Sequence, residues 1–246
     1  MRVDMWAEVT CPWCGLGNHR VTKAIERFEH ADEVELVHHS FPLSSSFPEG
    51  DTFSVREALL RRHGMGGSQA ETSTRRIEKL AESEGLIPYQ VLDNKVGNTD
   101  LAHEFLAHAS AQGKNREAWD ALFATHFGKA EPVFSLDDLL GLSDELGLDR
   151  EQTRQTLTDR RYRRQVRDDA ARAQRLGATG APFIGSFMSY LLHIDASSLG
   201  EASVFRQVAQ SFRDEWQGPV VHRDLAATPV PHLTRGWTRS WSTGAP

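Results

Sequence analysis

Cys11 and Cys14 are the only cysteines among the 246 residues, and just Pro12 and Trp13 separate them. Sulfur nucleophiles react as thiolates, and a free cysteine with a pKa of ~8.5 supplies little thiolate at neutral pH. Two thiols three residues apart on a helix come round on one turn. One can then attack a mixed disulfide held by the other, which is the step that thiol–disulfide exchange requires. The neighbouring residues supply a means of activation. Val3, Met5, Ala7 and Val9 alternate with polar residues, the pattern of a strand that runs into Cys11. Pro12 suits the first turn of a helix, and Val21, Ala24, Ile25 and Phe28 recur at helical spacing. A cysteine at that helix mouth faces unpaired backbone N–H groups and the positive end of the helix dipole, which favour its thiolate. Cys11 is therefore predicted to be the attacking thiol and Cys14 the resolving one. The alternatives are a chance pair of buried structural cysteines, or half of a zinc site. A closed zinc site usually takes four ligands, and His38 and His39 on one strand point to opposite faces, so no metal is expected.

The elements that must position this pair follow along the chain. Val34 to Phe41 alternates again and Pro42 ends it, giving a βαβ-type unit with the cysteines at the mouth of its helix. From about Leu43 to Leu176 the pattern is mostly helical. Stripes run through Ile77, Leu80 and Ala81, through Leu101, Phe105, Leu106 and Ala109, and through Trp119, Leu122, Phe123, His126 and Phe127. Ser135 with Asp138, and Asp149 with Gln152, are spaced as capping pairs, and Asn98-Thr99 resembles a helix start. Tyr162, Val166, Ala170 and Ala173 line a last helix that stops near Gly177. The run Arg160, Arg161, Arg163, Arg164 and Arg167 alternates with aspartates and reads as one solvated helix face. Ala181-Pro182-Phe183-Ile184 then begins a strand-like segment, and Phe205, Val208, Ala209, Phe212 and Trp216 give a closing helix. Beyond about 217 periodicity fades, with Trp237 and Trp241 hinting at a docked tail.

Composition narrows the function classes. With 39% hydrophobic and 25% charged residues the chain is expected to be soluble and globular. Two cysteines are too few for a secreted disulfide framework. No apolar run approaches the ~18–20 residues of a membrane span, and a net charge of −6 leaves no footprint for nucleic acid or an anionic membrane. The opening MRVDMWAEVT has Asp4 and Glu8 and no basic leader, so a signal peptide is not expected and the cytoplasm is the expected location.

Val9-Thr10-Cys11-Pro12-Trp13-Cys14 after a strand, with Thr179-Gly180-Ala181-Pro182-Phe183 late in the chain, resembles the DsbA family of thiol–disulfide oxidoreductases. The long helical region and Asn98-Thr99-Asp100-Leu101-Ala102-His103 look most like its FrnE-like cytoplasmic branch. The resemblance implies an α/β protein with a thioredoxin-like fold, a mixed sheet flanked by helices, interrupted by a large all-helical insertion domain. Residues 1–43 and 177–216 would form the thioredoxin-like domain, 44–176 the insertion and 217–246 a C-terminal tail. It implies a cis Ala181–Pro182 bond beside Cys11, where sequence alone would read an ordinary trans proline. It further implies Cys11, Cys14 and Pro182 as catalytic residues, and Pro12, Trp13, Ala181 and His103 as substrate-binding ones. Glu8 stands where that branch usually carries Asp. If burial raised its pKa it would be a proton acceptor for Cys14; otherwise it is a half-exposed strand carboxylate. Asn98 and Thr99 read equally as helix caps, and His103 as a surface position. Gly15 departs from the family, which commonly has an aromatic after the second cysteine, and the segment after Phe183 lacks the family's usual strand–turn–strand.

The implied activity is dithiol exchange with protein or small-molecule disulfides, sustained by a cellular thiol reductant or oxidant, without a cofactor. The alternatives are a glutathione-dependent isomerase or transferase of the related kappa-class and 2-hydroxychromene-2-carboxylate isomerase group, which commonly lack the second cysteine, and a non-catalytic binding module.

Overall fold

The computed structural model describes residues 1–186, 191–195, 210, 213 and 220–224. The first alternating segment forms strand β1 (Arg2–Ala7), the middle strand of a three-stranded sheet. It pairs in parallel with β2 (Glu35–Ser40) and antiparallel with β5 (Phe183–Ser186), with Met5 opposite both His38 and Ile184. Alternation predicts one wet face, yet Met5 and Trp6 are both fully buried. The reason is that both faces of the sheet are covered. Met5, Ala7 and Val9 enter the main core, while Trp6 packs with Phe41, Ala173 and Ala178 under helix α8 (Arg163–Arg175). The Trp6 indole N–H donates to the Asp169 carbonyl of that helix at 3.1 Å.

Helix α1 (Pro12–Glu26) connects β1 to β2. Its buried residues are Cys14, Gly15, Leu16 and Asn18, all in the first two turns. The expected stripe through Phe28 is only partly realised, because the helix ends before Phe28 and leaves that ring exposed. Periodicity locates an apolar face but not which turns meet the core; here β1 delivers the first turns into it. The free edge of β2 is closed by a side chain rather than a strand. Asn115 accepts from the His38 N–H and donates to the His38 carbonyl, both at 2.9 Å, imitating a strand partner and removing an open edge. The His38 ring lies buried with Nε2 2.8 Å from the Asn18 side-chain oxygen Oδ1 and stacks on Trp119.

Between β2 and β5 run the helices α2 (Val55–His63), α3 (Gly67–Ser83), α4 (Asp100–Ala111), α5 (Asn115–Phe123), α6 (Leu136–Glu145) and α7 (Arg150–Thr158). Ser135 and Asp138 form the expected capping box of α6, and Asp149 accepts from the Gln152 N–H at the start of α7. Unforeseen is a ribbon of β3 (Thr52–Ser54) and antiparallel β4 (Lys95–Gly97), too short to show a period in the sequence. These helices have no core apart from the sheet's. Ile77, Phe105, Trp119 and Leu139 are buried in the same cluster as Met5, Ala7 and Leu16, and one compact unit runs from Met1 to Phe187. Among the described residues no helix is long and apolar enough to cross a membrane.

One reading changes here. Arg160 does not belong to a solvated helix face: it precedes α8 in a left-handed conformation (φ 53°) and binds Glu104 at 2.7 Å and Glu49 at 3.1 Å. By compactness the chain divides after Phe187, and in the second unit, 188–246, β6 (Leu191–Asp195) pairs in parallel with β7 (Val220–Asp224). A parallel pair joined by a long crossover leaves no local mark in the sequence. The closing helix proposed on Phe205, Val208, Ala209, Phe212 and Trp216, and the tail tryptophans, lie outside the described residues.

Burial of neutral imidazoles makes stability depend on pH. Burial pushes His38 down to about 3 and His126 down to about 4. Unfolded histidines bind protons below ~6.5 while these two stay neutral, so the unfolded state binds more protons and stability falls as pH drops from 6.5 towards 4. The expected loss is up to about 1.4 kcal/mol per pH unit for each group. Urea unfolding at pH 7 and 4.5 checks it. His38→Gln should have a shallower pH slope than wild type, and an equal slope would remove His38 from the account.

Candidate active site

The strand and helix place Cys11 as the N-cap of α1, with φ −82° and ψ 114°, and Pro12 follows in the first turn. The Cys14 N–H donates to the Cys11 carbonyl at 2.9 Å, closing that turn. No side chain caps the helix and no acidic residue lies in its first turn, so the free amides have the Cys11 sulfur as their neighbour. Neither cysteine is in a disulfide; Cys11 is partly exposed and Cys14 is fully buried. A hydrogen bond from the Cys14 thiol, with help from the Cys14 and Trp13 amides, pulls the Cys11 thiol below its usual range against the opposing effect of burial. Burial, and then the neighbouring Cys11 sulfur, push Cys14 well above its own. The two opposite directions describe one arrangement: a Cys11 thiolate stabilised by a protonated Cys14.

Across from the dithiol, the Ala181–Pro182 peptide is cis, and the Ala181 carbonyl oxygen lies 3.7 Å from Cys11 Sγ. Gly17 permits this approach: a Cβ there would stand 3.2 Å from the Pro182 ring and 3.5 Å from Met5. Pro182 and Ala181 are half-buried, and Trp13 is 45% exposed at the cavity mouth beside Pro12. Cys11, Cys14, Pro12, Trp13, Ala181 and Pro182 are thus brought together.

Glu8 and His103 are arranged differently from the expectation. Glu8 is fully buried rather than half-exposed. Its carboxylate accepts from the N–H groups of Thr10 (3.2 Å), Leu43 and Ser44 (3.1 Å) and from the Thr99 hydroxyl (3.2 Å), and His103 Nε2 lies 3.6 Å away. Burial alone would raise its pKa, as the sequence suggested. The contact with His103 and the amides of Leu43 and Thr10 outweigh it and hold Glu8 below the usual carboxylate range. His103 is not a surface residue and does not line the cavity beside Cys11; it sits fully buried behind Glu8, against Trp119. Thr99 occupies the N-cap position of α4 but spends its hydroxyl on Glu8, while Asn98 caps instead by accepting from the Asp100 N–H at 2.9 Å. The group of Glu8 that touches the dithiol is its amide, which donates to Cys14 Sγ at 3.4 Å.

Tyr89 has no sequence signal of its own. Its hydroxyl donates to the Pro12 carbonyl and its ring stacks on Phe127. A Cβ on Gly15 would come within 2.5 Å of that hydroxyl and 3.0 Å of Phe127. The departure at Gly15 is therefore the trace of Tyr89: the helix gives up an aromatic of its own, and one from the loop before β4 fills the space.

Two free cysteines at a helix mouth, delivered by a central strand and faced by a cis proline, are the arrangement of a thioredoxin fold. Residues 2–185, about three-quarters of the chain, match the DSBA-like thioredoxin domain, and the chain belongs to that family. It is similar to the crystal structure of a probable DsbA oxidoreductase from Streptomyces coelicolor, with a TM-score of 0.70 and 36% identity over 75% of this chain and 79% of that one. The fold is also that of the cytosolic disulfide reductase DsbM from Pseudomonas aeruginosa, with a TM-score of 0.52 and 16% identity over 76% of this chain and 85% of that one. Over 63 residues the chain is also 48% identical to an FMN-dependent NADH:quinone oxidoreductase from Streptomyces coelicolor. That match spans 23% of this chain and 27% of the relative.

The packing of Gly15 against Tyr89 predicts non-additive energetics. Gly15→Ala should cost about 1–3 kcal/mol through the added contact. Combined with Tyr89→Phe, the total loss in urea unfolding should be smaller than the sum of the two single losses. Strict additivity would separate the two residues.

Proposed function

We propose that the chain is a cytoplasmic dithiol oxidoreductase in which Cys11 attacks and Cys14 resolves. The observation that carries this is the opposed pair of sulfurs, one partly exposed and acidified, the other buried and held protonated. Cys11 thiolate attacks one sulfur of a substrate disulfide, forming a mixed disulfide and expelling the other sulfur as thiolate. The positive end of α1 then no longer has a Cys11 charge to stabilise, and Cys14 can ionise with support from the Glu8 amide. Cys14 attacks Cys11 Sγ, the substrate leaves reduced by two electrons, and the Cys11–Cys14 disulfide remains. A cellular thiol returns the protein to its reduced form. Run in reverse, the same steps oxidise a dithiol substrate.

Pro182 and Ala181 serve as the wall against which the substrate chain lies, with the Ala181 carbonyl beside the reacting sulfur, and Pro12 and Trp13 form the opposite lip. The Glu8 carboxylate, already held by three amides, a hydroxyl and His103, is a poor base; its part is to orient the strand end and to oppose excess negative charge on the sulfurs. A one-thiol mechanism of the isomerase or transferase kind gives Cys14 no task, whereas here Cys14 is hydrogen bonded and buried beside Cys11.

Cys14→Ser should accumulate a substrate adduct on Cys11, visible by non-reducing mass spectrometry, and lose at least tenfold in turnover of a disulfide substrate. Cys11→Ser should trap nothing. Full turnover in Cys14→Ser would contradict the dithiol mechanism.

A second reading concerns residues 188–246. β6 and β7 pair in parallel, and in parallel sheets nucleotides bind at the carboxyl ends of the strands. This pairing favours a contribution to an FMN site of the kind named for the quinone oxidoreductase relatives. Titrating FMN with the full chain should quench flavin fluorescence at micromolar protein; undiminished fluorescence would discard this reading.

A further inference from the structure

Resting on the oxidoreductase reading, a cavity beside the dithiol indicates which disulfides the site takes. It has a volume of about 350 Å³, at the lower end of small-molecule sites. Cys11, Pro12 and Trp13 form one side of it, and the helices α2 and α3 the other. Phe47, Val55, Ile77, Val91 and Phe127 make its walls largely apolar. Polar side chains that reach the wall are occupied within it. The Thr74 hydroxyl donates to the Ala70 carbonyl at 2.8 Å, and the Asn94 amide to the His126 carbonyl.

Besides the exposed His63, two polar groups are left over. Arg62, in the last turn of α2, lies over the Phe47 ring at 4.1 Å and donates to the Ser46 hydroxyl at 3.0 Å. Among the described residues no carboxylate lies within ion-pair distance of Arg62, whereas Arg56, Arg75 and Arg160 each have one. His126 also lines the cavity, 1% exposed, and its buried Nδ1 has no hydrogen-bond partner among the described residues. A polypeptide threaded here would bring an N–H and a carbonyl at every residue, each needing a partner that these walls do not offer. An apolar body with one acidic end meets hydrocarbon walls, a cation without a carboxylate partner and a sulfur nucleophile; the Glu8 carboxylate, which also lines the cavity and is bonded to Thr10, Leu43, Ser44 and Thr99, repels that acidic end from the Cys11 side and leaves it the Arg62 side.

We propose that this cavity admits a small organic dithiol or disulfide with a short hydrocarbon body and one carboxylate, the sulfur meeting Cys11 and the carboxylate meeting Arg62. With the oxidised protein, one thiolate of such a dithiol attacks Cys11 Sγ, breaks the Cys11–Cys14 bond and releases Cys14 as thiolate. Its second thiolate then attacks its own sulfur in the mixed disulfide, closing a cyclic disulfide and releasing Cys11. Two electrons pass to the protein, two from each dithiol oxidised, and the protons go to solvent and to Cys14.

The experiment uses the full chain, oxidised at Cys11–Cys14, and follows its reduction by tryptophan fluorescence in single-turnover mixing. Dihydrolipoate and dihydrolipoamide are the probes, because they share the thiols and the hydrocarbon and differ in charge at the far end. Dithiothreitol, which needs neither anchor, is the control. Wild type should react about two- to fivefold faster with the acid than with the amide at low salt, and the preference should shrink in 0.5 M salt. Arg62→Ala should bring the ratio to about one, and Arg62→Lys should keep part of it; the exposed position of Arg62 makes both compatible with folding. For the apolar body, ω-mercaptoalkanoates should gain about two- to fourfold in rate per added methylene until the cavity is filled. A wild-type ratio near one, a ratio unmoved in Arg62→Ala, or a flat methylene series would each overturn the proposal. If dithiothreitol also fails to reduce the protein, it is the dithiol reading itself that falls; if only the preferences are missing, that reading stands and the cavity assignment alone is lost.

Discussion

The unpaired amides at the start of α1 are the constraint on which the rest of the structure depends. They exist because β1 runs straight into the helix and Pro12 starts it, leaving Cys11 as the N-cap with no competing side-chain acceptor. An Asp or Ser at that position would satisfy the same amides with oxygen. With sulfur there, the stabilisation of the helix end and the ionisation of the Cys11 thiol become one interaction. The buried Cys14 completes it by donating its thiol proton towards Cys11, which lowers the first sulfur's pKa while its own is raised.

That arrangement needs a rigid frame, and the frame is shared between the sheet and the helices. Glu8, at the end of β1, collects donors from its own strand end, from the segment after β2, and from α4. A buried carboxylate is costly unless its oxygens are bonded, so these segments are held to one another wherever Glu8 is satisfied. Tyr89 ties the loop before β4 to the Pro12 carbonyl, and Gly17 lets the Pro182 loop close on the same helix. Three parts of the chain, distant in sequence, therefore converge on the first turn of α1.

Local signals made much of this legible. The dithiol, its strand, its helix and the caps at Ser135 and Asp149 are spaced within a few residues of one another, and such spacing survives into the fold. The proline at 182 became informative only through the family resemblance, since a single X-Pro says little about its partner across 170 residues. What the sequence concealed are the contacts made over long separations. Nothing near Glu8 announces that Leu43, Ser44, Thr99 and His103 will surround it, and so neither reading of its sequence, a buried carboxyl with a raised pKa or a half-exposed carboxylate, foresees one that is buried and lowered. His103 looked like a surface residue because polar type was weighed above its place on the buried face of α4. Arg160 looked like part of a charged helix face because its left-handed backbone cannot be read from a run of arginines. Gly15 was the exception: its departure from the family marked the space that Tyr89 fills.

The most direct measurement is the rate of Cys11 alkylation across pH 4–9 on the reduced chain, compared with the same series in Cys14→Ser. The account predicts a thiolate transition well below the ~8.5 of a free cysteine. It also predicts that the transition moves upward in the variant, because serine replaces the thiol that donates to Cys11 with a group of different reach. A wild-type transition at or above the free value would contradict the claim that the start of α1 activates this sulfur.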